Sequence, residues 1–157
     1  MHALALAHAA DGYVGLRFVP TKPRHVFGTE QRIVLGENIT VSAPERTALD
    51  CLKYGIGTFA FAEFTAIVVR VLRCGQSERL AGYIHRFKSG PLACRLGVLA
   101  TLTKVDLAPA LLDALRSFPI PATPIWLDRL RPATSSDSID RTRGVRLNAT
   151  LSDLFRI

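Results

Sequence analysis

The order of apolar and polar positions changes character three times along the chain. Residues 1–10 hold strong helix formers and stop at Asp11-Gly12, which predicts the end of a helix. Residues 14–41 follow as short β-prone runs at 14–19, 32–35 and 39–41, parted by turn signals at Pro20 to Pro23 and at Gly36-Glu37-Asn38. The last two runs predict a tight hairpin; the partner of the first is left open. From Ser42 the period becomes helical. Ser42-Ala43-Pro44-Glu45 has the spacing of a capping box, with Pro44 in a first turn that needs no N–H from it. That helix is expected to end near Tyr54, before Gly55. Four more are expected over 59–72, 77–87 with Ser77 as N-cap, 92–102 and 108–118, each with apolar residues recurring on one face. Pro119, Pro121 and Pro124 then force an extended crossing. Short strands are expected at 125–127 and 144–147, with 132–140 as a polar surface loop. Strands, a run of about five helices and short closing strands together give an α+β fold.

Composition supports a folded chain. Of 157 residues, 48% are apolar and 21% charged, which excludes disorder as the default, and the length suffices for one core. The longest apolar run, 59–72, is interrupted by Glu63 and Arg70 and is too short to span a bilayer. Residues 1–10 lack the basic start of a signal peptide, so a cytoplasmic protein without membrane association is expected. Cys51, Cys74 and Cys94 are odd in number and widely spaced, which suits buried, reduced thiols better than bridges or a zinc site. His2, His8, His25 and His85 lie far apart, with no ligand at metal spacing. No metal and no cofactor are expected.

Candidate chemistry is sparse. No phosphate-binding glycine loop, nucleophile elbow or zinc-protease motif occurs in the chain. Glu45 and Asp50, with Glu63, offer acids that a small nuclease-like or nucleotide-handling enzyme uses. Against that, the cap occupies Glu45, and Arg46 stands at i,i+4 from Asp50 as a structural partner. The net charge of +7 suits a polyanion partner. Its surplus lies in the second two-thirds of the chain, where Arg129, Arg131, Arg141, Arg143 and Arg146 flank the polar loop. These five are candidates for phosphate contact, although Asp128, Asp137 and Asp140 interleave with them as in a solvated mixed-charge loop. Arg70, Arg73, Arg79, Arg86, Lys88 and Arg95 form a second basic set without interleaved aromatics.

One stretch is more specific. Ser42-x-x-Glu45-Arg46-Thr47-x-Leu49-Asp50, after a β segment ending Asn38-Ile39-Thr40-Val41, resembles the signature of AbiE-type (AbiEi) antitoxins. Arg95-Leu96-Gly97, Ile125-Trp126-Leu127-Asp128 and Val145-Arg146-Leu147-Asn148 resemble later family segments, in order. The chain departs from the pattern in three places: Pro is displaced after Asp128, the closing strand lacks its Trp, and Ala100 stands where Glu is frequent. The resemblance implies a non-enzymatic antitoxin domain over 16–157, with 1–15 a linker or helix remnant of a winged-helix domain that precedes it in the family. It implies a nucleotidyltransferase-like toxin as functional partner, without a stable complex, and operon repression by full-length relatives. On that reading DNA binding by this chain is weak and non-specific. Ser42, Glu45, Arg46, Thr47, Asp50, Arg95, Leu96 and Gly97 are then motif residues with structural roles.

Overall fold

The computed structural model describes residues 2–10, 13–54, 61–128, 131–132, 134–149 and 152, with side chains described from residue 22 onward. Helices and short strands combine in an α+β fold, divided into two compact units, Met1–Val41 and Ser42–Ile157.

The first unit holds two hairpins. Strand β1 (His2–Ala10) pairs antiparallel with β2 (Tyr13–Thr21), in register from His2↔Thr21 to Ala10↔Tyr13. The helix expected at the start is therefore a strand. Leu and Ala alternate from Ala3 to Ala7, and this period of two overrides the helix propensity of the residues themselves. Residues 15 and 16 both lie within β2, so the boundary expected between them falls inside a paired strand. A 3-10 turn, Pro23–His25, follows, closed by the His25 N–H donating to the Lys22 carbonyl at 2.8 Å. Strands β3 (Thr29–Val34) and β4 (Glu37–Ser42) form the second hairpin, across which Gln31 Nε2 donates to Thr40 Oγ1 at 2.8 Å. Its turn is Leu35-Gly36, one residue earlier than the sequence suggests, with φ of 52° and 86°. Tight hairpin turns of this kind need positive φ at both central residues. Gly36 adopts it freely; Leu35, fully exposed, carries the steric cost of a Cβ there.

The second unit is built around a buried helix. Helices α1 (Pro44–Tyr54), α2 (Phe61–Cys74), α3 (Ser77–Phe87), α4 (Gly90–Leu102) and α5 (Pro109–Arg116) come in succession. Along α4 only Arg95 breaks the buried run from Leu92 to Ala100. A helix apolar on every side belongs at a centre, and α4 packs against α1, α2, α5 and the closing sheet. Pro91 and Pro109 each sit in a first turn, where their missing N–H is harmless.

Strands β5 (Ile125–Trp126), β6 (Ser138–Asp140) and β7 (Val145–Leu147) form a sheet in the order β5-β7-β6. β7 runs parallel to β5 and antiparallel to β6. The loop expected over 132–140 thus ends in a strand, too short for periodicity to reveal. Val145 is fully buried and β7 rests on α4. No helix among the described residues is long and apolar enough to cross a membrane.

Replacing Leu35 with Asn, which tolerates positive φ, is expected to stabilise the second hairpin by about 1 kcal/mol, or roughly fivefold slower amide exchange. Hydrogen exchange across β3 and β4 reads this directly. Unchanged exchange would show that Leu35 is not strained.

Candidate functional site

Helix α1 carries three charged side chains into the core: Glu45, Arg46 and Asp50 are each no more than 3% exposed. Their partners explain how. Arg46 Nε donates to Asp50 Oδ2 at 2.7 Å, one turn further along the same helix. The Arg46 guanidinium lies 4.5 Å from the centre of the Phe87 ring, and Lys53 Nζ lies 4.6 Å from the same ring. A buried α3 aromatic thus collects two α1 cations. Burial pushes the Asp50 carboxyl above its ordinary range, against the opposing pull of Arg46 and then Lys53.

The capping box is not formed. The helix begins at Pro44, and the Ala43 carbonyl accepts the first helical bond, from the Thr47 N–H at 2.9 Å, so Ala43 rather than Ser42 holds the N-cap position. Thr47 Oγ1 donates to the same carbonyl at 3.2 Å. Glu45 turns instead to α3, where its Oε1 accepts from the Gln76 N–H at 2.8 Å and its Oε2 faces Arg79 at 3.5 Å. Gln76, not Ser77, is the N-cap of α3, and its own side chain makes no capping bond. Glu45 therefore supplies from another helix the negative charge that a helix start favours. Gly75 permits the approach: a Cβ there would lie 2.5 Å from the Val71 carbonyl oxygen and 3.3 Å from Glu45 Oε1.

The second motif segment has equally definite duties. Arg95 Nε donates to the Trp126 carbonyl at 2.7 Å, tying α4 to β5. Leu96 is fully buried. Gly97 lies under the Arg143 guanidinium, which a Cβ at this position would overlap. At the end of the sheet, buried Asn148 accepts from the Asp128 N–H at 2.9 Å and donates to the Asp128 and Arg131 carbonyls, each at 2.6 Å. It clamps the segment that follows β5. Sequence reasoning read Asn148 only as a family match and gave it no role.

The five candidate phosphate-contacting arginines separate. Arg129 lies outside the described residues. Arg143 is half-buried, with its guanidinium set against Gly97 of α4. Arg146 is half-buried at the centre of the sheet and donates to the Thr134 carbonyl at 3.3 Å. Arg131 and Arg141 are exposed. The acids among them serve local turns. Asp137 accepts from the Thr134 N–H at 2.6 Å and from Thr134 Oγ1 at 2.9 Å, and the backbone bond holds its carboxyl below the usual range. Asp140 Oδ1 accepts from the N–H groups of Thr142 at 2.9 Å and Arg143 at 3.2 Å. In the other basic set, Arg79 faces Glu45, Arg73 reaches the Thr103 carbonyl at 3.5 Å, and Arg70, Arg86 and Lys88 are exposed.

The acids proposed for enzyme chemistry do not converge: Glu45 and Asp50 are buried, and Glu63 is exposed on α2. An open groove of about 540 Å³ lies between the end of α1, the start of α4 and β5. Lys53, Tyr54, Pro91, Arg95 and Ile125 help line it, and none of the three acids does. Among the described residues no group of three or more His, Cys, Asp or Glu is placed to hold a metal ion. Cys51 and Cys94 are buried, but Cys74, expected to be buried as well, is exposed at the end of α2. All three are free thiols, and burial pushes Cys51 up to about 11, with Asp50 adding to the shift.

No family model, curated protein or solved structure matches the chain.

Two predictions follow from this geometry. Asp50→Ala strands the buried Arg46 charge and is expected to cost about 3–5 kcal/mol of stability, while Arg46→Met with Asp50→Leu costs less than that single change. Chemical denaturation of the three proteins decides it, and a double variant weaker than Asp50→Ala would refute the buried pair. Native thiol titration is expected to find one fast-reacting cysteine, Cys74, with the other two reacting after unfolding. Fast modification of a Cys74→Ser variant would contradict the burial of Cys51 and Cys94.

Proposed function

We propose that this chain is an antitoxin-type regulator domain of a bacterial toxin–antitoxin system, opposing a nucleotidyltransferase-like toxin in the cytoplasm. One observation carries the reading. The two most specific segments of the AbiE-type resemblance lie on α1 and α4, which pack against one another. Five motif residues there have definite packing roles: Glu45 serves the start of α3, Arg46 and Asp50 pair with one another, Arg95 holds β5, and Gly97 makes room for Arg143. Such residues mark a fold rather than a reaction, and function passes by analogy through the resemblance. The separation of Glu45 and Asp50 from Glu63 weighs against the nuclease-like alternative. On this reading the chain performs no catalytic step and needs no cofactor or metal. Its encounters with duplex DNA are weak and without sequence preference, in the range of roughly 10⁻⁴ to 10⁻⁶ M.

Co-expression tests the proposal. The protein encoded by the adjoining reading frame is induced alone, then together with this chain. Growth arrest in the first case and recovery in the second are expected. Persistent arrest, or no arrest by the neighbour, would remove the antitoxin reading.

A further inference from the structure

The closing sheet presents one row of side chains to solvent. Trp126 on β5 pairs with Arg146 on β7, and Arg146 pairs with Ile139 on β6. Directly paired residues share a sheet face, so the three stand side by side. The neighbouring row, Ile125 beside fully buried Val145, faces the opposite way. Trp126 is 42% and Ile139 38% exposed. An indole open to solvent, next to a guanidinium on a rigid sheet, is costly to leave bare and suits a flat π-system.

Arginines flank the row, with Asp137 and Asp140 among them. Arg146 and then Arg131 add to the pull that holds the Asp137 carboxyl below its usual range, and Arg131 is exposed. Arg141 is exposed directly after β6. Asp137 and Asp140, the acids of this segment, are engaged by Thr134 and by Thr142 and Arg143. The row is also held still: the Trp126 carbonyl is fixed by Arg95, and the Leu127 N–H donates to the Arg146 carbonyl at 3.0 Å.

We infer that the Trp126–Arg146–Ile139 row is a binding site for single-stranded nucleic acid, with a base stacked on Trp126 and the backbone phosphates drawn to Arg131, Arg141 and Arg146. A basic surface alone attracts any polyanion, duplexes included. An exposed aromatic beside it selects strands whose bases are unstacked, because a duplex keeps its π-faces covered. The flat, short row accepts one or two bases and offers no element shaped for a duplex groove. The inference stands apart from the antitoxin reading, and neither depends on the other.

Trp126 is the single tryptophan of the chain, so intrinsic fluorescence reports on the site alone. The full chain is titrated with 12-nucleotide oligo-uridine and oligo-thymidine, with a duplex of matched length, and with heparin as a polyanion that carries no bases. Quenching by the single strands at several-fold lower concentration than by the duplex, with little from heparin, is expected. Trp126→Ala is expected to weaken oligonucleotide binding, followed by anisotropy of a labelled strand, about 5- to 100-fold. Trp126→Phe should retain most of it. Arg141→Ala should lower affinity and flatten its salt dependence. Equal response to duplex and single strand, equal quenching by heparin, or affinity unchanged in Trp126→Ala would each overturn the proposal. Because quenching is read on the unaltered protein, misfolding of a variant does not shelter the inference. Absence of any quenching by oligonucleotides would also overturn it.

Discussion

A helix that cannot cap itself takes its cap from a neighbour, and much of the second unit depends on that loan. The start of α3 at Gln76 has no side-chain acceptor of its own, and the Glu45 carboxylate from α1 fills the gap. The contact fixes the entry of α3 relative to α1 and carries Phe87 back to α1, where its ring lies against Arg46 and Lys53. Three charged side chains are tolerated in the core because each is answered: Glu45 by a backbone N–H and Arg79, Arg46 by a carboxylate and a ring, Asp50 by Arg46. A buried pair of this kind adds little net stability, yet removing one member leaves a charge in a medium that cannot solvate it.

The same contact shows what sequence reasoning reads and what it misses. The span of helix α3 was legible, though its N-cap was not, because Gly75 before it and the apolar stripe of Leu80, Ile84 and Phe87 are local signals. The capping box was also a local signal, with every residue type in place, but a tertiary partner outcompeted it. Nothing in Ser-Ala-Pro-Glu announces that Gln76, 31 positions on, will need the carboxylate more than Ser42 does. Strand β1 was misread for the opposite reason. Ala and Leu are good helix formers one by one, and their strict alternation, followed by Asp-Gly, is a hairpin pattern that propensity obscures. Cys74 was grouped with two buried thiols on the number and spacing of all three, yet it is exposed where α2 ends.

For the basic closing segment, the sequence showed the residues but not their arrangement. Five arginines around a polar loop were visible, but their strand registers were not, so nothing separated Arg143, pressed on Gly97, from Arg141 in solvent. Nor could the pairing of Trp126 with Arg146 be foreseen, since β6 was hidden in the loop and the row exists only once three strands align. Two residues 20 positions apart in the chain became neighbours through a parallel pairing that no local pattern encodes.

That parallel pairing also sets a timetable. β7 is the last strand in chain order among the described residues and the middle strand of its sheet, so β5 and β6 have no partner until residues 145–147 exist. During synthesis the helices are complete well before, and α4 leaves the ribosome with the side that β7 will pack against still wet. Nascent chains shorter than this therefore expose a stripe of the central helix, and chaperones recognise surfaces of that kind. The closing sheet acts as a lid on a finished helical body, and the molecule's passage to a fully protected core waits on one three-residue strand.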